Sequence, residues 1–153
     1  MCARIRVLLR GFKEMVDTKR ILVVCTGNRC RSQMAHGWLQ HFAPDHVEVR
    51  SAGTAPKGVH PLSIEVMGAA GVDITSHTSD HIDEFSDTHF DVVVTVCNNA
   101  KETCPVFTNT DKLVHRSFEE PDHEDMGREE LIPIFNRIRD EIRDWAKEFV
   151  LTV

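Results

Sequence analysis

The chain contains no tyrosine, and its 153 residues include only two tryptophans. It has no apolar run approaching the ~20 residues that span a bilayer, so no membrane association is expected. It has no excess of positive charge: 18 Lys and Arg stand against 24 Asp and Glu, a net charge of −6. That argues against nucleic-acid binding, and any anion must be captured locally rather than by a whole-surface field. A disulfide framework is also missing. Five cysteines is an odd number without the spacing of a small secreted scaffold, which points to a reducing cytoplasm and reactive thiols. No internal repeat or low-complexity segment interrupts the chain. What remains is an ordinary hydrophobic content of 41% in a length suited to one domain with a real core.

One stretch organises the rest. Ile21 to Val24 is apolar and β-branched enough for a buried strand, and it ends in Cys25. The loop Thr26-Gly27-Asn28-Arg29-Cys30-Arg31-Ser32 follows, and Gln33 to Phe42 reads as a helix. Strand, tight loop and helix aim backbone N–H groups and a helix N-terminus at an anion. The spacing lets the loop wrap one tetrahedral oxyanion, with a Cys25 thiolate beneath it and the Arg31 guanidinium gripping it through two N–H bonds. Ser32 can donate to the sulfur. The bland alternative is a buried cysteine closing a core strand, which leaves Arg31 and Ser32 at the helix start unexplained. Cys30 reads as a small buried filler within the loop.

Further elements alternate along the chain. Val47 to Arg50 reads as a second strand, and Leu62 to Ala70 as a helix stopped by Gly71. Thr78-Ser79-Asp80 can cap a short helix carrying Ile82 and Phe85. Phe90 to Val96 is a strongly β-branched central strand, and Lys112 to Arg116 a shorter fourth. Leu131, Phe135, Ile138, Ile142, Trp145 and Phe149 recur at steps of three and four and form one helical stripe, with Pro133 near its start. Strands alternating with helices predict an α/β domain with a parallel sheet, whose sites form at the carboxyl ends of strands. Residues 1–14 are basic. They are expected to be a loose N-terminal extension, or to precede a true start at Met15, leaving 15–153 as a single catalytic domain. His77 and His81 are expected on the surface, and no histidine set suggests a metal.

The string from Cys25 to Ala35 resembles the signature of the low-molecular-weight tyrosine phosphatase superfamily, and more closely its thioredoxin-coupled arsenate reductase branch. The resemblance covers roughly residues 20–149 and implies a four-stranded sheet of order 2-1-3-4 flanked by helices. A second string, Cys97-Asn98-Asn99-Ala100-Lys101-Glu102-Thr103-Cys104-Pro105, also resembles the reductases. There the resemblance implies that Cys97 and Cys104 are resolving thiols. A phosphatase needs one nucleophilic cysteine and an acid; a reductase must also supply two electrons, which a thiol pair provides on becoming a disulfide. Core cysteines or half of a zinc site are the alternatives, and the six-residue gap suits zinc poorly.

His115 to Pro121 resembles the segment that brings a general acid over the loop. The family usually carries aspartate before the proline; here it is Glu120, one methylene longer, with Glu119 a weaker candidate and a solvated charge run through Asp122, Glu124 and Asp125 the alternative. Asn28, Ser51, Thr78 and Asp80 match positions of a potassium site in related reductases. His36 stands where a carboxylate is common, which removes a ligand for a hard cation. No cofactor is therefore expected to be required.

The resemblance implies that Cys25 attacks arsenic, Arg31 and the loop hold the oxyanion, Glu120 aids loss of water, Cys97 attacks Cys25, and Cys104 attacks Cys97. In the reduced protein Asn99 to Glu102 is expected to form a helical turn that unwinds on oxidation. Thioredoxin, or glutaredoxin with glutathione, would recharge a monomer. A low-molecular-weight phosphatase and a non-catalytic oxyanion or redox sensor are the alternatives. The lack of tyrosine disfavours the phosphatase, since related phosphatases frame their substrate with aromatic side chains.

Overall fold

The computed structural model describes residues 18–98 and 107–153; the expectations about residues 1–14, Cys104 and the 99–102 turn lie outside them. Among the described residues there are four strands and three helices. They are β1 (Lys19–Cys25), α1 (Arg31–Phe42), β2 (Val47–Gly53), α2 (Pro61–Ala69), β3 (Phe90–Thr95), β4 (Thr110–His115) and α3 (Arg128–Phe149). Short 3₁₀ turns occupy Ile82–Phe85 and Val150–Thr152. The sheet is parallel throughout, in the order β2-β1-β3-β4, as expected.

A strand with neighbours on both edges and cover on both faces must be apolar continuously, not alternately. This is why Ile21 to Val24 are all fully buried. Their side chains still alternate between two cores. Ile21, Val23 and Cys25 join the larger one with α1, α2 and α3, whereas Leu22 and Val24 join Ala52, Phe90, Val93 and Phe107 on the other face. The α3 stripe supplies Leu131, Phe135, Ile138, Ile142 and Ala146 to the larger core. Each large apolar side chain there contributes ~1.5–3 kcal/mol of burial. Trp145 and Phe149 are only partly buried at its margin, stacked on each other. Pro133 lies within the helix rather than at its first turn.

Two boundaries matter for the site. The first helix begins at Arg31, two residues before the periodic pattern, so Arg31 and Ser32 belong to its first turn. The second strand runs on to Gly53, which pairs with Cys25. The turn at Ile82–Phe85 is capped by His81, whose side chain accepts from the Asp83 N–H, and not by Thr78-Ser79-Asp80. Those residues are otherwise engaged: the Thr78 hydroxyl donates to the Asp80 carboxylate, and the Asp80 N–H donates to Asn28.

Candidate active site

Cys25 ends β1 at the carboxyl edge of the sheet. The loop behind it is shaped from outside. The carbonyl of Thr26 accepts from the Ala55 N–H, that of Gly27 from Lys57, and that of Arg29 from His60. The Asn28 carbonyl accepts from Gln33 Nε2 and the Ser79 hydroxyl. In a trans peptide the N–H following each of these carbonyls points the opposite way, away from the outer partners. One of them, on Asn28, reaches Cys25 Sγ at 3.2 Å. Asn28 adopts the left-handed conformation (φ 45°), which asparagine tolerates better than most residues. Gly53 presses against the outside of this curve. A Cβ there would lie 2.4 Å from the Thr26 carbonyl oxygen and 2.9 Å from the Asn28 nitrogen, so only glycine fits.

Behind the sulfur the contacts are neutral. Ser32 Oγ is 2.9 Å from Cys25 Sγ, and Asn28 Nδ2 donates to the same Oγ at 2.8 Å. Since the serine oxygen is accepting from Asn28, its own proton is free to point at the sulfur, as the sequence led us to expect. Gln33 ties the loop to the 78 region through the Thr78 carbonyl, and His77 Nδ1 holds Gln33 Oε1 at 3.0 Å. His77 stacks on His36 with ring centroids 4.0 Å apart. It is thus not the surface histidine expected. Burial, with His77 and Arg50 adding to it, pushes His36 down to about 3. Burial lowers His77 also. Both rings are therefore neutral near pH 7.

In front of the sulfur the contacts are ionic. A cavity of about 580 Å³ is lined by Cys25, Thr26, Gly27, Arg29, Cys30, Arg31, Lys57, Glu120, Asp122 and Glu124. Asn28 and Ser32, which the sequence reading grouped with the oxyanion-binding loop, are fully buried behind it. Arg31 Nη2 donates to Glu120 Oε2 at 2.8 Å, and Nη1 to the Phe118 carbonyl at 3.3 Å. Glu120 thus lines the cavity beside Arg31 with its side chain 42% exposed, while Glu119 is paired with Arg137 of α3 and does not line the cavity. Asp122, Lys57 and Glu124 are cavity residues that sequence reasoning missed as such. Asp122, two positions past Glu120 and just after a proline, was the available signal. Cys30 is buried, and that burial raises its thiol well above the ordinary range.

Cys97 follows β3, the strand beside β1, and is completely buried in the same core as Cys25. Its polar neighbours in sequence suggested an open loop. Cys25 and Cys30 are free thiols, whereas Cys97 is disulfide-bonded.

The positions considered for potassium fit a cation poorly. Ser51 Oγ is 3.0 Å from His36 Nδ1, Asn28 Oδ1 accepts from the Asp80 N–H, and the Asp80 carboxylate accepts from Thr78. One His/Asp set among the described residues has ligand-like spacing, His89 with Asp91 and Asp111. It lies at the opposite end of the strands, and Asp91 already accepts from the Arg20 N–H. No described helix is long and apolar enough to cross a membrane.

The family model for low molecular weight phosphotyrosine protein phosphatase matches residues 20–153. This chain belongs to that family. Within it, arsenate reductase from Bacillus subtilis (strain 168) is 39% identical over 137 residues, covering 90% of this chain and 99% of the relative. Arsenate reductase 1 from Staphylococcus haemolyticus (strain JCSC1435) is 41% identical over 138 residues, covering 90% and 99%. Among solved structures, an arsenate reductase in its oxidized state superposes with a TM-score of 0.71 at 26% identity, covering 88% of this chain and 98% of that one. A thioredoxin-dependent arsenate reductase from Corynebacterium glutamicum gives 0.62 at 26%, covering 99% and 73%. The phosphatase-family fold expected from the loop is thus the fold of this chain.

Proposed function

We propose that this protein is an arsenate reductase that works by a three-thiol relay recharged by thioredoxin. The observation that carries the reading is a second redox-capable cysteine, the disulfide-bonded Cys97, at the end of the strand next to Cys25. Phosphate ester hydrolysis has no use for it.

The Cys25 thiolate attacks As(V), the loop N–H groups and Arg31 hold the oxyanion, and water leaves with a proton from Glu120. The Cys97 thiolate then attacks Cys25 Sγ. The S–As electron pair stays on arsenic, which departs as arsenite, and a Cys25–Cys97 disulfide remains. Cys104 attacks Cys97, releasing the Cys25 thiolate, and a dithiol reductant reopens the Cys97–Cys104 bridge. Arg31 exchanges Glu120 for the substrate at the first step. We assign the work to the cytoplasm, with no required cofactor, because His36 and Ser51 satisfy each other where a cation would need both.

The test is arsenite production by pure protein with thioredoxin, thioredoxin reductase and NADPH, set against glutaredoxin with glutathione. Turnover with the first set supports the reading; turnover only with the second reassigns the reductant. Cys104→Ser protein given one equivalent of arsenate should stop after one turnover as a Cys25–Cys97 disulfide, seen by peptide mass mapping. Continued cycling at the wild-type rate would remove Cys104 from the relay. The loop, Arg31 and Glu120 also suit a phosphatase, and that reading is favoured if aryl phosphate is turned over efficiently with no reductant and arsenite is not formed.

A further inference from the structure

We propose that Asp122, held by His60 and Arg29, is a positioning residue that keeps Glu120 beside the departing oxygen when arsenate displaces it from Arg31. The inference rests on the reading of Glu120 as the acid.

Asp122 bridges two donors from different segments: Oδ1 lies 3.4 Å from His60 Nε2 and Oδ2 3.6 Å from Arg29 Nε. Both donors are themselves fixed. His60 caps α2, with Nδ1 accepting from the Leu62 N–H at 3.0 Å. The ring proton therefore sits on Nε2 and faces Asp122. The His60 ring rests against Phe135 of α3, with centroids 4.9 Å apart, and the His60 backbone N–H donates to the Arg29 carbonyl at 3.1 Å. Arg29 Nη1 is anchored on the carbonyls of Lys57 and Gly58. Asp122 thus meets a rigid corner where the anion loop joins α2. Its side chain is 27% exposed and that of His60 11%, so water weakens the contact less than it would a fully exposed pair.

The backbone completes the device. The Asp122 N–H donates to Glu120 Oε1 at 3.1 Å, while Glu120 Oε2 takes the Arg31 donor. The carboxylate has one oxygen on its own segment and one on the substrate's arginine. When an oxyanion takes over Arg31, the second contact is lost. Among the described residues the Asp122 N–H alone then holds Glu120, and that N–H stays in place because the Asp122 side chain is clasped.

The experiment compares wild type with Asp122→Asn, which keeps volume but turns an amide toward two donors, and with His60→Asn, whose side-chain oxygen can still cap α2. Arsenite formation gives kcat and KM, and inorganic phosphate as inhibitor reads anion affinity at the loop. We expect kcat to fall ~10-fold or more in both variants, with phosphate inhibition within about two-fold of wild type and the thermal midpoint kept. The double variant should be no slower than Asp122→Asn alone, because both break one contact. Unchanged kcat, or kcat and phosphate affinity falling together, would overturn the proposal. p-Nitrophenyl phosphate is run in parallel. If wild type hydrolyses it but makes no arsenite, the reductase reading fails alone, and the same split between kcat and phosphate inhibition decides the clasp.

Discussion

The two sides of the Cys25 loop are built from different materials. Behind the sulfur, Asn28, Ser32, Gln33, Ser51 and the His36–His77 stack form a chain of neutral, largely buried hydrogen bonds. In front, Arg29, Arg31, Glu120 and Asp122 are paired by charge at the edge of an open cavity. Neutral buried bonds cost much to break and offer an incoming anion nothing to exchange, so they fix shape. The Arg31–Glu120 pair is the wet one, with the Glu120 side chain 42% exposed, so a substrate anion can replace Glu120 at small cost while the less exposed Asp122 keeps its donors. The loop is rigid where the sulfur must be held and exchangeable where arsenate must enter.

Substitutions on the sulfur itself should have the largest effect. Cys25→Ser should abolish both arsenate reduction and aryl phosphate turnover, since a hydroxyl is far less ionised than a thiol; surviving activity of either kind would overturn the loop assignment. Next comes the front. Glu120→Gln should slow the arsenate step ~10²-fold, whereas Glu120→Asp should keep much of the rate, read in single-turnover arsenite release. Equal rates for Gln and wild type would return Glu120 to the charge run.

A paired comparison then separates front from back. Arg31→Lys should raise KM for arsenate ~10-fold or more, because a point charge replaces a two-pronged donor, with little change in urea midpoint. Asn28→Ala should do the reverse in emphasis, costing ~1–3 kcal/mol of stability by leaving the Asp80 N–H and Ser32 without their partner. Similar stability losses from the two would erase the distinction.

The last effect is on acid stability. An unfolded histidine takes its proton near pH 6.5, while His36 in the fold stays neutral down to about 3. Between those values the unfolded chain binds the extra proton, so this contribution is fully present above 6.5 and is lost as pH falls toward 3. One such proton is worth about 1.4 kcal/mol per pH unit. Urea midpoints at pH 7 and pH 5 should therefore differ less in His36→Gln than in wild type.

Residue by residue, what lies within one short string was legible on either side of the sulfur, and what meets only across the fold was not. Cys25, Arg31 and Ser32 sit within one short string, and Glu120 sits beside a proline in a segment that resembles the acid segment of the family. Local spacing carries such information. His77 meets Gln33 across 44 residues, and Asp122 meets His60 and Arg29 only in three dimensions. Nothing within a window of neighbours marks a histidine as half-buried or an aspartate as clasped. The capping error at Thr78 to Asp80 has the same origin, since the Asp80 N–H is taken by Asn28 from 52 residues away. The strands and the α3 stripe were legible because periodicity is local.

The glycine at the end of β2 also sets an order in time. The curve of the loop is moulded against Gly53, so a nascent chain that ends before β2 carries the nucleophile's sequence without its shape. Arg31 and Glu120 are 89 residues apart. At ~5–20 residues per second of synthesis, roughly 4 to 18 s separate them. During that interval β2 can dock and curve the loop while Arg31 still lacks its carboxylate, so the growing chain meets solutes with its reactive thiol formed and its cover unmade.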